Sequence, residues 1–245
     1  MDFINYLNSN DIIIVKNFAG FEKYDYSDSE VKKHIDLIIK VQKILNDYDP
    51  NDFFIFKSYV WKKPEHLNKN LRSLKKYYNK ILEDKPKNEY EDQIFKYGEE
   101  YIKLGTRCSD ELKSVKYKLL IKRSMVNKEI ALGKANYDNL KMEEKIKIKD
   151  INSIGYNMVE MDIIQFLNKI KKRIPDKELI QHVNYFCNLK GLSAISKKFI
   201  LTMLSFPSKF IKYSLRYFEN PAYYMQNVHI DKFKNALVLD GELLI

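Results

Sequence analysis

Four residues in the middle of the chain are of types that phosphoryl transfer can use. Gly133 sits in a turn at Leu132-Gly133-Lys134, and Asn139 follows after a short loop. Asp150 ends the alternating strand Lys145-Ile146-Lys147-Ile148-Lys149, and Asp162 stands at the start of the next helical pattern. Moving a phosphoryl group is mostly positioning and charge neutralisation: an Asp orients the acceptor hydroxyl, and an Asn and an Asp hold Mg²⁺. Asn139 and Asp150 are the residues that could hold a metal. Lys134, directly after the glycine, carries an ammonium that donates hydrogen bonds and accepts none. Lys134 is therefore expected to pair with Asp150 and fill the space of a metal; the rival reading is a solvent-exposed lysine of no consequence. Asn139 can tie down the loop through backbone hydrogen bonds. Asp162 can cap its helix or brace the loop. No catalytic role is expected of Leu132, Gly133, Lys134, Asn139, Asp150 or Asp162 in this state.

The elements that must position these residues are read from periodicity. Residues 3–8 suggest a short helix, and Asp11-Ile12-Ile13-Ile14-Val15 a buried strand. A helix over about 30–45 has a broad apolar face at Val31, Ile35, Ile38, Ile39, Val41 and Ile44-Leu45. Residues 53–60 are ambiguous between strand and helix. Helices are expected over 66–82, 90–108, 110–125, 161–171, 176–188, 193–205 and 207–217, with a last one over 228–239. The alternation at 145–149 requires one buried and one exposed strand face. The fold class is α+β, predominantly helical, with a small central β-hairpin, in one domain over 1–245.

Composition narrows the functional classes. The chain of 245 residues is 45% hydrophobic with 7 Gly and 6 Pro, which excludes a disordered chain. The net charge of +10 invites a nucleic-acid reading. Only Arg72, Arg107, Arg123, Arg173 and Arg216 among the 43 basic residues are arginine, the type suited to bidentate recognition, so a solvated Lys surface is preferred and nucleic acid is not expected. Cys108 and Cys187 form no C-x-x-C pair and are expected as buried thiols. The N-terminus lacks a signal-peptide pattern and no run approaches the length of a membrane span, so a cytoplasmic protein without membrane attachment is expected. His34, His66, His182 and His229 show no ligand spacing, and Glu129, Glu143, Glu144 and Glu160 read as solvated charges. Asp138 reads as a turn residue, Tyr59 and Trp61 as core, and Lys145, Lys147 and Lys149 as an exposed row that could meet an acidic partner.

The loop, strand and helix order resembles the aminoglycoside phosphotransferase and choline kinase superfamily, whose loop reads H-G-D-x-x-x-x-N. Leu132 stands at the His, Gly133 is kept, Lys134 replaces the catalytic Asp, and Asn139 is kept. Asp150-Ile151-Asn152 matches the D-F-E position, and Tyr156 to Asp162 matches the Y-D-L-x-x-x-D pattern with Asp162 retained. The stretch is most similar to the spore coat CotS family. Ile12 to Val15 followed by Phe18-Ala19-Gly20 resembles that family's hinge strand and turn, so 1–20 reads as a remnant hinge region and 130–162 as a degenerate catalytic and metal-strand region. The resemblance implies a kinase-like C-terminal lobe without its N-terminal β-lobe, and hence a pseudokinase with no cofactor, acting as a scaffold for protein partners in the cytoplasm or spore coat. Self-association through residues 11–20 is a further expectation. Two alternatives stand beside it: a small-molecule phosphotransferase that takes its nucleotide lobe from a partner chain, where ATP and Mg²⁺ at Asn139 and Asp150 would enter, and a basic nucleic-acid-binding protein.

Overall fold

The computed structural model describes residues 2–18, 24–49, 56–60, 62–114, 117–224, 230, 231, 233–235, 237 and 240. The Ala19-Gly20 turn, residues 53–55, Trp61 and half of the expected 228–239 helix lie outside them. Described elements run α1 (Phe3–Ser9), β1 (Ile12–Ile14), α2 (Asp28–Asn46), β2 (Lys57–Ser58), α3 (Lys62–Asp84), α4 (Glu89–Ser114) and α5 (Tyr117–Val126). They continue with β3 (Ile130–Ala131), β4 (Leu140–Met142), β5 (Ile146–Ile148), β6 (Gly155–Tyr156), α6 (Glu160–Ile170), α7 (Asp176–Leu189), α8 (Ala194–Ser205), α9 (Ser208–Glu219) and α10 (Pro221–Tyr224). The protein is α+β and mostly helical. It forms two compact units, Met1–Trp61 with Lys116–Leu201 and Lys62–Val115 with Thr202–Ile245.

The first unit holds both described sheets. The expected hairpin is present as β4 and β5, with Met142 opposite Ile146 and Leu140 opposite Ile148. It is larger than periodicity suggested, because β1 adds a parallel strand to β5 with Ile12 opposite Ile146 and Ile14 opposite Ile148. A second sheet joins β6 to β2 in parallel and to β3 in antiparallel. Parallel partners come from distant sequence, so local alternation cannot reveal them. Ile12 is buried while Ile14 is 40% exposed, so β1 is buried at one end only. Helix α2 lies behind the strands and buries Val31, Ile35, Leu37, Ile38, Val41 and Leu45, and also His34 and Gln42. Its start has no side-chain cap from Ser27; the Ser27 amide and hydroxyl bond to Asp25 instead, at 2.9 Å each.

An ion cluster joins α5 to α6. Arg123 donates to both Glu129 oxygens at 2.7 and 3.0 Å, to both Glu160 oxygens at 2.9 and 2.7 Å, and to Ser196 Oγ at 3.1 Å. Glu129 and Glu160 are buried at 7% and 0% exposure, so neither is the solvated charge expected from sequence. The planar guanidinium has donors enough to satisfy two carboxylates at once, which makes their burial tolerable. Burial works against the Arg123 charge, but its hydrogen bonds to Glu160 and Glu129 outweigh it and raise its pKa.

The second unit is helical among its described residues. Gly98 and Gly105 lie on the face of α4 turned to α3, where a Cβ would meet the Tyr78 ring at 2.6 Å and Leu71 at 2.9 Å. Seven residues return a helix to nearly the same face, so the pair lets the two backbones approach along one line. Tyr90 stacks on Tyr217 and Tyr101 on Phe210, with centroids 4.6 and 4.3 Å apart. Cys108 of this unit and Cys187 of the first are both buried, and neither is in a disulfide. No described helix is long and apolar enough to cross a membrane.

Replacing Arg123 by Met strands two buried carboxylates and is expected to cost about 3–5 kcal/mol in urea unfolding, whereas the triple change Arg123→Met, Glu129→Met, Glu160→Met recovers most of that loss. A single variant no less stable than the parent would show that the cluster does not hold α5 to α6.

Candidate functional site

The loop between β3 and β4 is pinned from four sides. Asp162, on the first turn of α6 and fully buried, accepts hydrogen bonds from the Leu132 and Gly133 amides at 2.9 Å each. Gln42 of α2 donates to the same carboxylate at 2.9 Å and to the Val159 carbonyl at 2.9 Å. Gln165, one turn along α6, accepts from the Ala135 amide at 2.5 Å. The buried His34 ring faces the Ala135 carbonyl, with Nε2 at 2.8 Å. Ser153 Oγ donates to the Leu132 carbonyl at 2.9 Å. The backbone at Gly133 has φ +70°, and a Cβ there would collide with the Ser153 carbonyl oxygen, so only glycine fits the turn.

Lys134, Asn139 and Asp150 converge. The Lys134 ammonium pairs with Asp150 Oδ2, as the spacing suggested. Asn139 Nδ2 donates to the Lys134 carbonyl at 2.9 Å and to the Asp150 carbonyl at 3.1 Å. Its Oδ1 accepts from the Asp150 amide at 2.8 Å. The second Asp150 oxygen accepts from the Asn152 amide at 2.8 Å. Lys134, and then the Asn152 amide, hold the Asp150 carboxyl below the usual carboxylate range. Asn139 thus does what turn residues do, and Asp162 braces the loop. Leu132 is buried in the core, with no polar atom to offer a substrate.

These residues do not suit Mg²⁺ as they stand. The one carboxylate already holds an internal cation, and the Asn139 oxygen a metal would need is taken by a backbone amide. Among the described residues no group of three or more His, Cys, Asp or Glu is placed to hold a metal ion. A cleft of about 660 Å³ opens nearby, lined by residues that include His34, Leu37, Lys40, Tyr137, Leu140 and Met142. Lys134, Asn139 and Asp150 are not among its lining.

The remaining charged candidates find local partners. Asp138 pairs with Lys169 at 3.0 Å. Lys145 pairs with Asp11 at 3.3 Å, Lys147 with Glu143, and Lys149 lies 4.9 Å from the Phe18 ring centre. The expected lysine row is therefore largely neutralised from within. Tyr59 is half-buried and donates to the Asn152 carbonyl at 3.3 Å. Sequence reasoning missed Gln42, Gln165, His34 and Ser153. The available signal was a polar residue inside an apolar stripe, as at His34 and Gln42 on α2.

Burial pushes the Asp162 carboxyl above its ordinary range, while the bonds from Gln42, Leu132 and Gly133 oppose that push. Burial drives His34 down from 6.5 to about 4, against the pull of the Ala135 carbonyl. No protein-family model matches the chain, and no curated protein matches it.

Two outcomes follow from this geometry. Asp162→Ala strands three buried donors and is expected to cost about 3 kcal/mol or more, while Lys134→Ala, which breaks a half-exposed pair, costs less than about 1 kcal/mol; equal losses in denaturant melts would contradict the assignment of the brace to Asp162. His34 stays neutral in the folded protein but takes a proton near 6.5 when unfolded, so the unfolded state binds more protons between those values. Stability from this group is whole above pH 6.5 and falls by about 3 kcal/mol as pH drops towards 4. Unfolding of His34→Gln measured across that window should show a correspondingly flatter pH dependence than the parent.

Proposed function

We propose that this chain is a non-catalytic, kinase-like protein resembling the spore coat CotS type, working as a binding or structural protein for protein partners in the cytoplasm or spore coat. The observation that carries this reading is the Lys134–Asp150 ion pair. An acceptor hydroxyl needs a carboxylate beside it to be oriented for attack. Lys134 offers a donor there, and its charge opposes a second cation at Asp150. Asn139 spends its side chain on three backbone groups, which supports a loop kept for its shape.

The order of parts supports a kinase-like C-terminal lobe. A strand, β3, leads into a loop whose first amides are held by Asp162. The hairpin β4–β5 follows, then Asp150, then β6 returning to pair with β3, and then the helix that carries Asp162. Scaffold and chemistry have separated: the bonds that shape the loop are intact, and the groups that would act on a substrate are internally satisfied.

Calorimetric titration of the protein with ATP, with and without Mg²⁺, tests the reading. The expected result is no Mg²⁺-dependent binding in the micromolar range and no release of phosphate. Micromolar, metal-dependent nucleotide binding, or turnover lost in Asp150→Ala, would overturn it.

A further inference from the structure

The middle of α3 differs from α2 and α4. In those two helices four lysines pair with a carboxylate about one turn away: Lys32 with Asp28 at 2.7 Å, Lys33 with Glu30 at 2.6 Å, Lys103 with Glu99 at 2.5 Å and Lys113 with Asp110 at 3.0 Å. Between His66 and Leu82, α3 carries Lys69, Arg72, Lys75, Lys76 and Lys80 and no acid. At 3.6 residues per turn, Lys69, Arg72, Lys76 and Lys80 share one stripe about 16 Å long. It lies opposite the buried Leu67, Leu71, Leu74 and Tyr78. All four cations are exposed, and none makes an ion pair among the described residues. Arg72, Lys76 and Lys80 repeat at i, i+4, a spacing at which like charges destabilise a helix. The row is thus held at a cost that a single glutamate would relieve.

Positive charge continues onto the helix packed beside it. Helix α9 is joined to α3 by Tyr77 stacked on Phe218, with centroids 4.3 Å apart. Lys212 of α9 is pushed down first by burial and then by Arg216 and Lys63, with no acid acting in the other sense.

We propose that the solvent face of α3 is a docking ridge for an acidic protein segment, whose carboxylates meet Lys69, Arg72, Lys76 and Lys80. Opposite charge is the complement this row lacks among the described residues. Three of the four are lysines, point charges without the fork that reads base edges. Tyr77 is engaged on Phe218 and Tyr78 in the core, so neither aromatic of this stretch of α3 is offered to stacked bases. A row one helix wide matches an extended or helical acidic segment. The inference stands on the second unit alone and is independent of the loop reading above.

The test uses the full chain with fluorescent poly-L-glutamate and, separately, labelled single-stranded and duplex DNA of similar net charge, followed by anisotropy at low salt. The ridge variant replaces Lys69, Arg72, Lys76 and Lys80 by Gln, a good helix former. A control of equal net charge replaces Lys40, Lys118, Lys122 and Lys172, all exposed on the first unit, by Gln. Poly-L-glutamate is expected to bind, to weaken steeply with salt, and to lose about tenfold or more in affinity in the ridge variant against less than about threefold in the control. Equal losses in the two variants, no binding of poly-L-glutamate, or tighter binding of either DNA would each overturn the proposal. Circular dichroism melts of both variants confirm that the folded chain is being compared.

Discussion

The Asp162 carboxylate is the constraint on which the centre of the first unit depends. Two consecutive loop amides, Leu132 and Gly133, point at it from one side, and Gln42 reaches it from α2 on the other. A buried acid with three donors is costly to assemble and costly to break. It fixes the start of the loop relative to α6, and through Gln42 it fixes α2 relative to both. The glycine beside it turns with a positive φ that permits the close approach of Ser153. With its first residues held, the loop brings Lys134 and Asn139 to Asp150 without needing any ligand to order it.

That arrangement holds the loop through its own polar groups. Loops that bind charged ligands usually leave donors or acceptors waiting, and the cost of leaving them so is repaid on binding. Here the Asn139 amide and the Asp150 carboxylate are engaged by the protein's own groups. The polar groups of the loop are engaged by one another, and the ammonium of Lys134 sits on the Asp150 carboxylate.

Much of this was legible in the sequence because it is local. Amphipathic periodicity placed α2, α3, α6, α7, α8 and α9 within a few residues, since each has one apolar stripe, but the break expected near residue 109 falls inside α4, which continues to Ser114 before α5 begins at Tyr117. The Gly133, Asn139, Asp150 and Asp162 spacing placed those residues in one neighbourhood. What escaped notice was non-local. β1 and β2 pair in parallel with strands from the far side of α3 and α4, and no short-range pattern encodes that. Glu129 and Glu160 looked like surface charges because a carboxylate is buried only when a specific partner arrives, here Arg123 from another helix. Gln42, Gln165 and His34 were invisible for the same reason: a polar residue on an apolar stripe reads as noise until the group it satisfies is known. The solitary position of Lys134 opposite Asp150 was inferred correctly because opposite charges at a loop and a strand end need only proximity to meet.

The two compact units are nested along the chain, since residues 62–115 interrupt the first and the second resumes after residue 201. During synthesis, β1 emerges long before β5, its partner, and α2 must wait for the strands and for Asp162 that cover its polar Gln42. The first unit therefore cannot close until α6 has left the ribosome, and the second cannot close until α9 has. Such an order exposes the Ile12–Ile14 edge and the α2 apolar face to solvent until those later elements emerge, the circumstance in which chaperones engage nascent chains.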